Sequence, residues 1–355
     1  MSAIRFGAWG LGRIGFVHCK HFPNEAGMYE LVAGCDIDQA KIDKLVDEYG
    51  CAGYSEPEEF LADPNIELVM ICTRSLDHVA HAQQALAAGK IVLLEKPIAM
   101  SYSEIETLRQ ADRDCPGKLF FLHNHRFEPA MQQIFEITRS GILGDIIQAK
   151  LCRHHAFARR ADWQAILRYG GGQLSNWGSH IIDHALQFIG GPVKDIWGNL
   201  KAVNTIGDAE SHVKVVLTGE NGIVVDLEIS NNVALPGPFC TVYGSRGSLI
   251  CPDEKQIQLR YLAPDFEFGD DAAKTDSPPL NGGHWISAGF PWCDETRKVE
   301  SDVSMWIYVE IETARHLYRA LREGVPFPIA NADALEVSRI IHVVKDQNPE
   351  FKWDF

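Results

Sequence analysis

Two patterns of apolar spacing divide the chain near residue 123. Upstream, short apolar runs at Ile4–Ala8, Leu31–Cys35, Leu68–Cys72, Ile91–Leu94 and Leu119–Leu122 alternate with stretches of helical periodicity at Ile14–His21, Ala40–Tyr49, His78–Ala88 and Tyr102–Arg113. That alternation predicts a parallel sheet covered by helices, with Gly89 placed as a helix C-terminal cap. Downstream, one helical stretch at Pro129–Ser140 ends near Gly141. Strand-like alternation then takes over at Ile146–Arg153, Ile196–Val203, Val213–Leu217, Ile223–Ile229, Phe239–Tyr243 and Gln256–Tyr261. Glu220-Asn221-Gly222 reads as a hairpin turn, because Asn and Gly tolerate positive φ. Two more helices, Ser304–Arg322 and Ala332–Lys345, flank Gly324-Val325-Pro326-Phe327-Pro328, through which neither can continue. The expectation is an α/β unit over 1–123 and an α+β unit over 124–355 with a large, mostly antiparallel sheet and helices on one face.

Composition narrows the partners more than the fold. A 46% apolar and 23% charged chain of 355 residues is an ordinary globular protein with room for two cores. Its net charge of −15, with no basic run, argues against a nucleic-acid surface. Nine cysteines without a Cys-x-x-Cys pair fit neither a disulfide framework nor a zinc ribbon. With no signal peptide and no membrane-length apolar stretch in view, a cytoplasmic protein is expected. Among the histidine near-pairs, His180 with His184 has the i, i+4 spacing of helical zinc ligands, but no Glu stands beside His180, so no metal is expected.

Candidate chemistry begins at Gly10-Leu11-Gly12-Arg13-Ile14-Gly15, directly behind the first apolar run, with Asp36 ending the second. In that order the glycines permit a tight turn, a close approach of backbone to a pyrophosphate, and close helix packing, while the acidic residue meets the ribose. This is the recipe for a dinucleotide on a helix N-terminus. Further on, Ile91–Leu94 delivers Glu95-Lys96-Pro97 to the sheet end where ligands lie, and a lysine there can steady a developing alkoxide. Downstream of a glycine run, Asn176, His180 and Asp183 fall at offsets of four and three, on one helix face. His180 suits a general base because imidazole exchanges protons near neutrality. Arg160, Asp162 and Trp163 place polar groups beside an aromatic face, as a sugar pocket would.

Together these landmarks resemble the Gfo/Idh/MocA oxidoreductases over almost the whole chain. The resemblance rests on the glycine motif with Asp36, on Thr73-Arg74-Ser75-Leu76-Asp77-His78, Ala88-Gly89-Lys90 and Glu95-Lys96-Pro97, and on Asn124-His125-Arg126-Phe127, the glycine run with His180 and Asp183, and Tyr243-Gly244-Ser245-Arg246-Gly247-Ser248. It implies a Rossmann domain followed by an open-faced sheet domain that assembles dimers or tetramers. It also implies hydride transfer between NAD, less readily NADP, and a hydroxyl-bearing carbon of a sugar, glycoside or cyclitol. Lys96 and His180 would be catalytic. Asn176, Asp162, Trp163, Arg160 and Arg126 would meet substrate. The cofactor would be held by Gly10, Leu11, Gly12, Arg13, Ile14, Asp36, Ile37, Thr73, Arg74, His78, Glu95, Lys96 and Asn124. Two departures stand out: Asn176 replaces an aspartate common in relatives, and Arg74 replaces a proline. Asp36, followed by Ile37-Asp38, favours NAD, since a carboxylate repels a 2′-phosphate. Two alternatives stay open: glycoside hydrolysis through transient oxidation with no net NADH, and a non-catalytic nucleotide sensor.

Overall fold

The computed structural model describes residues 2–23, 27–269 and 289–353. Its first sheet carries β1 (Ile4–Trp9), α1 (Arg13–His21), β2 (Tyr29–Cys35), α2 (Gln39–Tyr49), β3 (Ala52–Tyr54), α3 (Pro57–Ala62), β4 (Leu68–Ile71), α4 (His78–Ala87), β5 (Ile91–Leu94), α5 (Tyr102–Asp114) and β6 (Leu119–Phe121). The strand order is β3-β2-β1-β4-β5-β6 and every pairing is parallel. The order reverses between β1 and β4, so a crevice opens at their C-terminal ends, where open α/β sheets bind ligands. β3 and α3 were not expected: β3 is a three-residue edge strand with no buried residue, so it carries no apolar run.

The second sheet is built from α6 (Pro129–Arg139), β7 (Ile146–His154), α7 (Gln173–Asn176), α8 (Gly178–Ile189), β8 (Val193–Lys201), β9 (His212–Gly219), β10 (Val224–Ser230), β11 (Cys240–Gly244), β12 (Gly247–Cys251), β13 (Gln256–Leu262) and β14 (Trp292–Lys298), and the chain closes with α9 (Met305–Glu323) and α10 (Asn331–Asp346). The order is β14-β13-β12-β11-β7-β10-β9-β8, antiparallel except for β7 beside β10. The expected hairpin turn joins β9 to β10, with Gly222 at φ +83°. On one face, Ile134, Ile181, Ile182 and Ile340 from α6, α8 and α10 bury against Leu151, Val215, Leu227 and Val242. Each such side chain contributes roughly 1.5–3 kcal/mol of burial. The other face leaves Trp197, Tyr243 and Trp292 exposed among surface ion pairs such as Lys214–Asp226.

Packing crosses the 123/124 boundary. Ala314, Leu317 and Tyr318 of α9 share a core with Ile4, Phe6, Phe22 and Tyr29, and the Tyr29 hydroxyl donates to the Ala314 carbonyl at 2.7 Å. Arg322 forks onto Glu67 at 2.7 Å. Ile329, Ala334 and Leu335 join the core on the sheet's opposite side. The two units therefore meet through side chains from both ends of the sequence.

Candidate active site

β1 delivers the glycine turn to the crevice. Gly10 has φ +99°, and a Cβ there would lie 2.6 Å from the Cys72 carbonyl carbon and the Thr73 nitrogen, so the turn must be bare to pass the end of β4. A Cβ at Gly12 meets nothing within 4 Å, and no side chain caps the first turn of α1, which leaves open space before unpaired amides. Arg13 and Ile14 open that helix. Asp36 accepts from Leu11 N at 2.7 Å and Asp38 N at 3.0 Å, so it shapes the loop that it would share with a ribose. Lys41 reaches the same carboxylate at 3.3 Å, a cation that sequence reasoning did not weigh. Ile37 beside it is 93% exposed, an apolar surface left bare by the described residues. The cradle fits an adenine dinucleotide.

The catalytic candidates come from both units. Lys96, past the end of β5, extends its ammonium to Asn176 Oδ1 at 3.3 Å and the Asn176 carbonyl at 3.4 Å. That carbonyl is free because the helix breaks at Trp177: the His180 and Ile181 amides both bond the Trp177 oxygen instead. Asn176 therefore ends α7 and His180 lies in α8, one turn later. Both lysine contacts are long for hydrogen bonds, so the ammonium is under-used. Burial lowers the Lys96 pKa, Glu95 opposes, and the positive charges of Arg160 and Arg13 push the same way as burial.

His180 is 5% exposed, and its Nδ1 has no hydrogen-bond partner among the described residues. Burial, the adjacent His125 imidazole and the charge on Lys96 hold its pKa well below the usual value, so the ring is neutral at pH 7 and free to accept a proton. His125 leans on it with ring centroids 4.1 Å apart and is itself pinned through Nδ1 to Glu128 at 2.5 Å. Burial would raise Glu128, but Arg153, which grips both its oxygens at 2.8 and 3.0 Å, and His125 bring it down to about 2. Arg153 in turn lies over Trp177 at 4.4 Å. This support for His180 was missed, since its members come from the break before α8, from β7 and from the turn after β6.

Several expected contacts are occupied within the chain. Arg126 is corrected from a substrate contact to a structural cation. It is 5% exposed and forks onto Asp183, with a further bond to the Pro328 carbonyl at 2.6 Å. Asp183 thus turns toward Arg126 and does not serve the lysine. His78 bonds the Pro97 and Thr73 carbonyls at 2.8 and 3.3 Å, bracing the two loops that flank the crevice, and Thr73 Oγ1 meets His81 at 3.0 Å. Glu95 and Asn124 bond His18 and Glu310, respectively. Arg74 stacks on Tyr169 at 5.7 Å. Arg160 pairs with Asp162 at 2.9 Å, Asp162 caps the short turn that opens with Trp163, and Trp163 is 38% exposed. Among the described residues no cluster of three metal-ligating side chains occurs.

A switch-point crevice with a bare glycine turn and an acid-terminated second strand, joined to a sheet domain whose Asn176, one turn before His180, meets a half-buried lysine, defines a nicotinamide-dinucleotide oxidoreductase. The chain belongs to the Gfo/Idh/MocA family: residues 4–120 match its NAD-binding Rossmann fold and 131–250 its C-terminal domain. It is 28% identical over 301 residues to the scyllo-inositol 2-dehydrogenase (NADP(+)) IolW of Bacillus subtilis, covering 83% of this chain and 80% of that one. It is 29% identical to the D-glucoside 3-dehydrogenase of Escherichia coli over 59% of this chain and 60% of that one. The crystal structure of an NAD-binding protein from Listeria innocua superposes with a TM-score of 0.80 at 21% identity, covering 98% of this chain and 97% of that one.

Proposed function

We propose that the protein interconverts a secondary hydroxyl and a ketone on a sugar, glycoside or cyclitol, with His180 as acid and base and Lys96 as the cation facing the oxygen. The observation that carries this is the reach of Lys96 across the two units to Asn176, one turn before His180. A bound nicotinamide dinucleotide supplies the hydride acceptor. Neutral His180 takes the hydroxyl proton, and Lys96 donates to the oxygen as charge develops. Asn176 cannot ionise, so it aligns Lys96 and a substrate hydroxyl without relaying protons. Trp163, Asp162 and Arg160 line the approach. NAD is the favoured cofactor because Asp36 repels a 2′-phosphate, although Lys41 softens that field. The exposed aromatic face of the second sheet is the surface through which a homodimer or homotetramer would form.

Nicotinamide absorbance during incubation with NAD or NADP and a panel of inositols, sugars and glycosides tests this reading. Reduction with one substrate, abolished in Lys96→Met, is the expected result. Free sugar released without net NADH would move the protein to glycoside cleavage. Tight dinucleotide binding without turnover of any panel member would refute the proposed chemistry.

A further inference from the structure

Behind Lys96 lies a buried chain of polar groups that neither the glycine motif nor the catalytic pair explains. His18, on the inner side of α1, directs Nδ1 at Glu310 Oε2 of α9, 2.6 Å away, and Nε2 at Glu95 Oε1, 3.0 Å away. Side-chain exposure is 1% for His18, 7% for Glu95 and 3% for Glu310, so water screens none of these contacts. Each carboxylate is also engaged at its other oxygen. Glu95 Oε2 accepts from the Lys96 backbone N–H at 2.8 Å, and Glu310 Oε1 accepts from Asn124 Nδ2 at 2.9 Å. A neutral imidazole has one N–H and would leave one carboxylate facing a lone pair. Only the doubly protonated ring donates to both acids while both remain ionised.

The surroundings agree with that assignment. Burial alone would lower the pKa of His18, yet Glu310 and Cys72 raise it well above the usual value. Burial would raise Glu95, but the His18 hydrogen bond and the charges of His18 and Lys96 bring it below its usual value. The titratable groups facing the bridge from neighbouring elements are Cys72 past β4, Cys19 and His21 on α1, and, acting on Glu95, Lys96 next to it in the chain, His78 on α4 and His123 past β6.

We propose that His18 is a positioning residue for Lys96: held as an imidazolium between Glu310 and Glu95, it fixes the carboxylate that anchors the lysine's backbone and sets the charge beside its ammonium. The bridge ties three separate elements to the reacting lysine. Helix α1 contributes the ring, and its N-terminus forms the dinucleotide cradle. Helix α9 contributes the distal acid. The loop after β5 carries the lysine itself. With the imidazolium present, Glu95 is neutralised from behind and Lys96 faces a nearly balanced pair. Without it, Glu95 acts on Lys96 as a bare buried anion and holds the lysine's proton more tightly. The proposal rests on Lys96 being catalytic.

Glu310→Gln in the full chain isolates the charge. Gln keeps the shape and can still accept from Asn124, while its amide N–H turns His18 Nδ1 into an acceptor and leaves the ring's single proton for Glu95. The contacts survive and the imidazolium does not. The expected result is an unchanged dinucleotide affinity, a kcat lower by about ten- to hundredfold, and an upward displacement of the alkaline limb that deprotonation of Lys96 would set, since the ammonium is the form that donates to the alkoxide. In ¹⁵N spectra of labelled imidazoles, His18 of the parent should keep both ring nitrogens protonated at pH 8. A neutral ring there overturns the proposal even if the variant fails to fold. So does Glu310→Gln with parental kcat and pH profile, when Lys96→Met is inactive. A fully active Lys96→Met would instead overturn the site reading, and the proposal with it.

Discussion

Replacing Lys96 by Met separates the lysine's chemical role from its structural cost. The side chain places an ammonium in a desolvated crevice where its protein acceptors are Asn176 Oδ1 at 3.3 Å and the Asn176 carbonyl at 3.4 Å. Burial works against the charged form, and Arg160 and Arg13 add repulsion, with Glu95 the opposing influence. Replacing a whole buried ion pair by apolar groups is typically neutral to stabilising, by about 1–4 kcal/mol, and this exchange removes only the cationic partner. Glu95 loses a cationic neighbour in the exchange but keeps His18 and the backbone N–H of residue 96, so the low end, about 1 kcal/mol, is expected. In a chain of this size that raises Tm by about 2 °C. The same change removes the donor to the developing alkoxide, a loss of about 10²–10³ in kcat. Thermal unfolding of the apoprotein and initial rates on one preparation read both effects. A variant that is destabilised by more than about 2 kcal/mol while keeping over a tenth of parental kcat would refute the reasoning, because Lys96 would then be a structural cation.

Other substitutions report on other parts of the site. Asp36→Ala should shift the ratio of NAD to NADP affinity by about ten- to hundredfold toward NADP, the worth of a charge-assisted hydrogen bond; an unchanged ratio by titration calorimetry would place the ribose elsewhere. His180→Asn should cost about 10²–10⁴ in kcat. Because burial keeps that imidazole neutral, the acid limb of the parent's kcat/KM for alcohol oxidation should lie below pH 6.5, and a limb at or above that value would assign the base to another group. His123, with neither ring nitrogen bonded among the described residues, is pushed down by burial to about 4. It must charge on unfolding in acid, so its contribution to stability is complete above pH 6.5 and is lost as pH falls toward 4, by about 3 kcal/mol in all. The urea midpoint should therefore fall less steeply with acid in His123→Leu than in the parent; parallel curves would contradict this.

The first unit was legible because its signals are local. A fully buried β4 appears as an unbroken apolar run, and the glycine turn with Asp36 sits within about thirty residues of chain. The strands that escaped notice have other physics. β14 alternates charge with charge across an edge, as in Arg260–Asp294, and β12 is a five-residue strand joined tightly to β11. Lys96 and His180 could be named from the elements that carry them, but not their supports. Arg126 looked available because its partner Asp183 lies 57 positions away, and His18 gave no signal because Glu310 lies 292 positions away. One cue was present for the latter: Glu310 interrupts the apolar stretch Trp306–Ile311, and an acid on an inward helix face needs a partner.

The return of α9 onto the first sheet has a consequence for how the protein is made. Ile4 and Phe6 leave the ribosome long before Ala314, Leu317 and Tyr318, which complete the core they belong to. During synthesis the nucleotide-binding unit must persist with that apolar flank uncovered, a state open to chaperones and to aggregation. Glu310 lies in the same helix, 292 positions after His18, so the acid at the far end of the bridge behind Lys96 is translated long after the ring that it holds. A nascent or C-terminally clipped chain would be able to form the glycine cradle and yet be unable to hold its lysine in place. On the proposed role of His18, turnover would wait for α9 to dock.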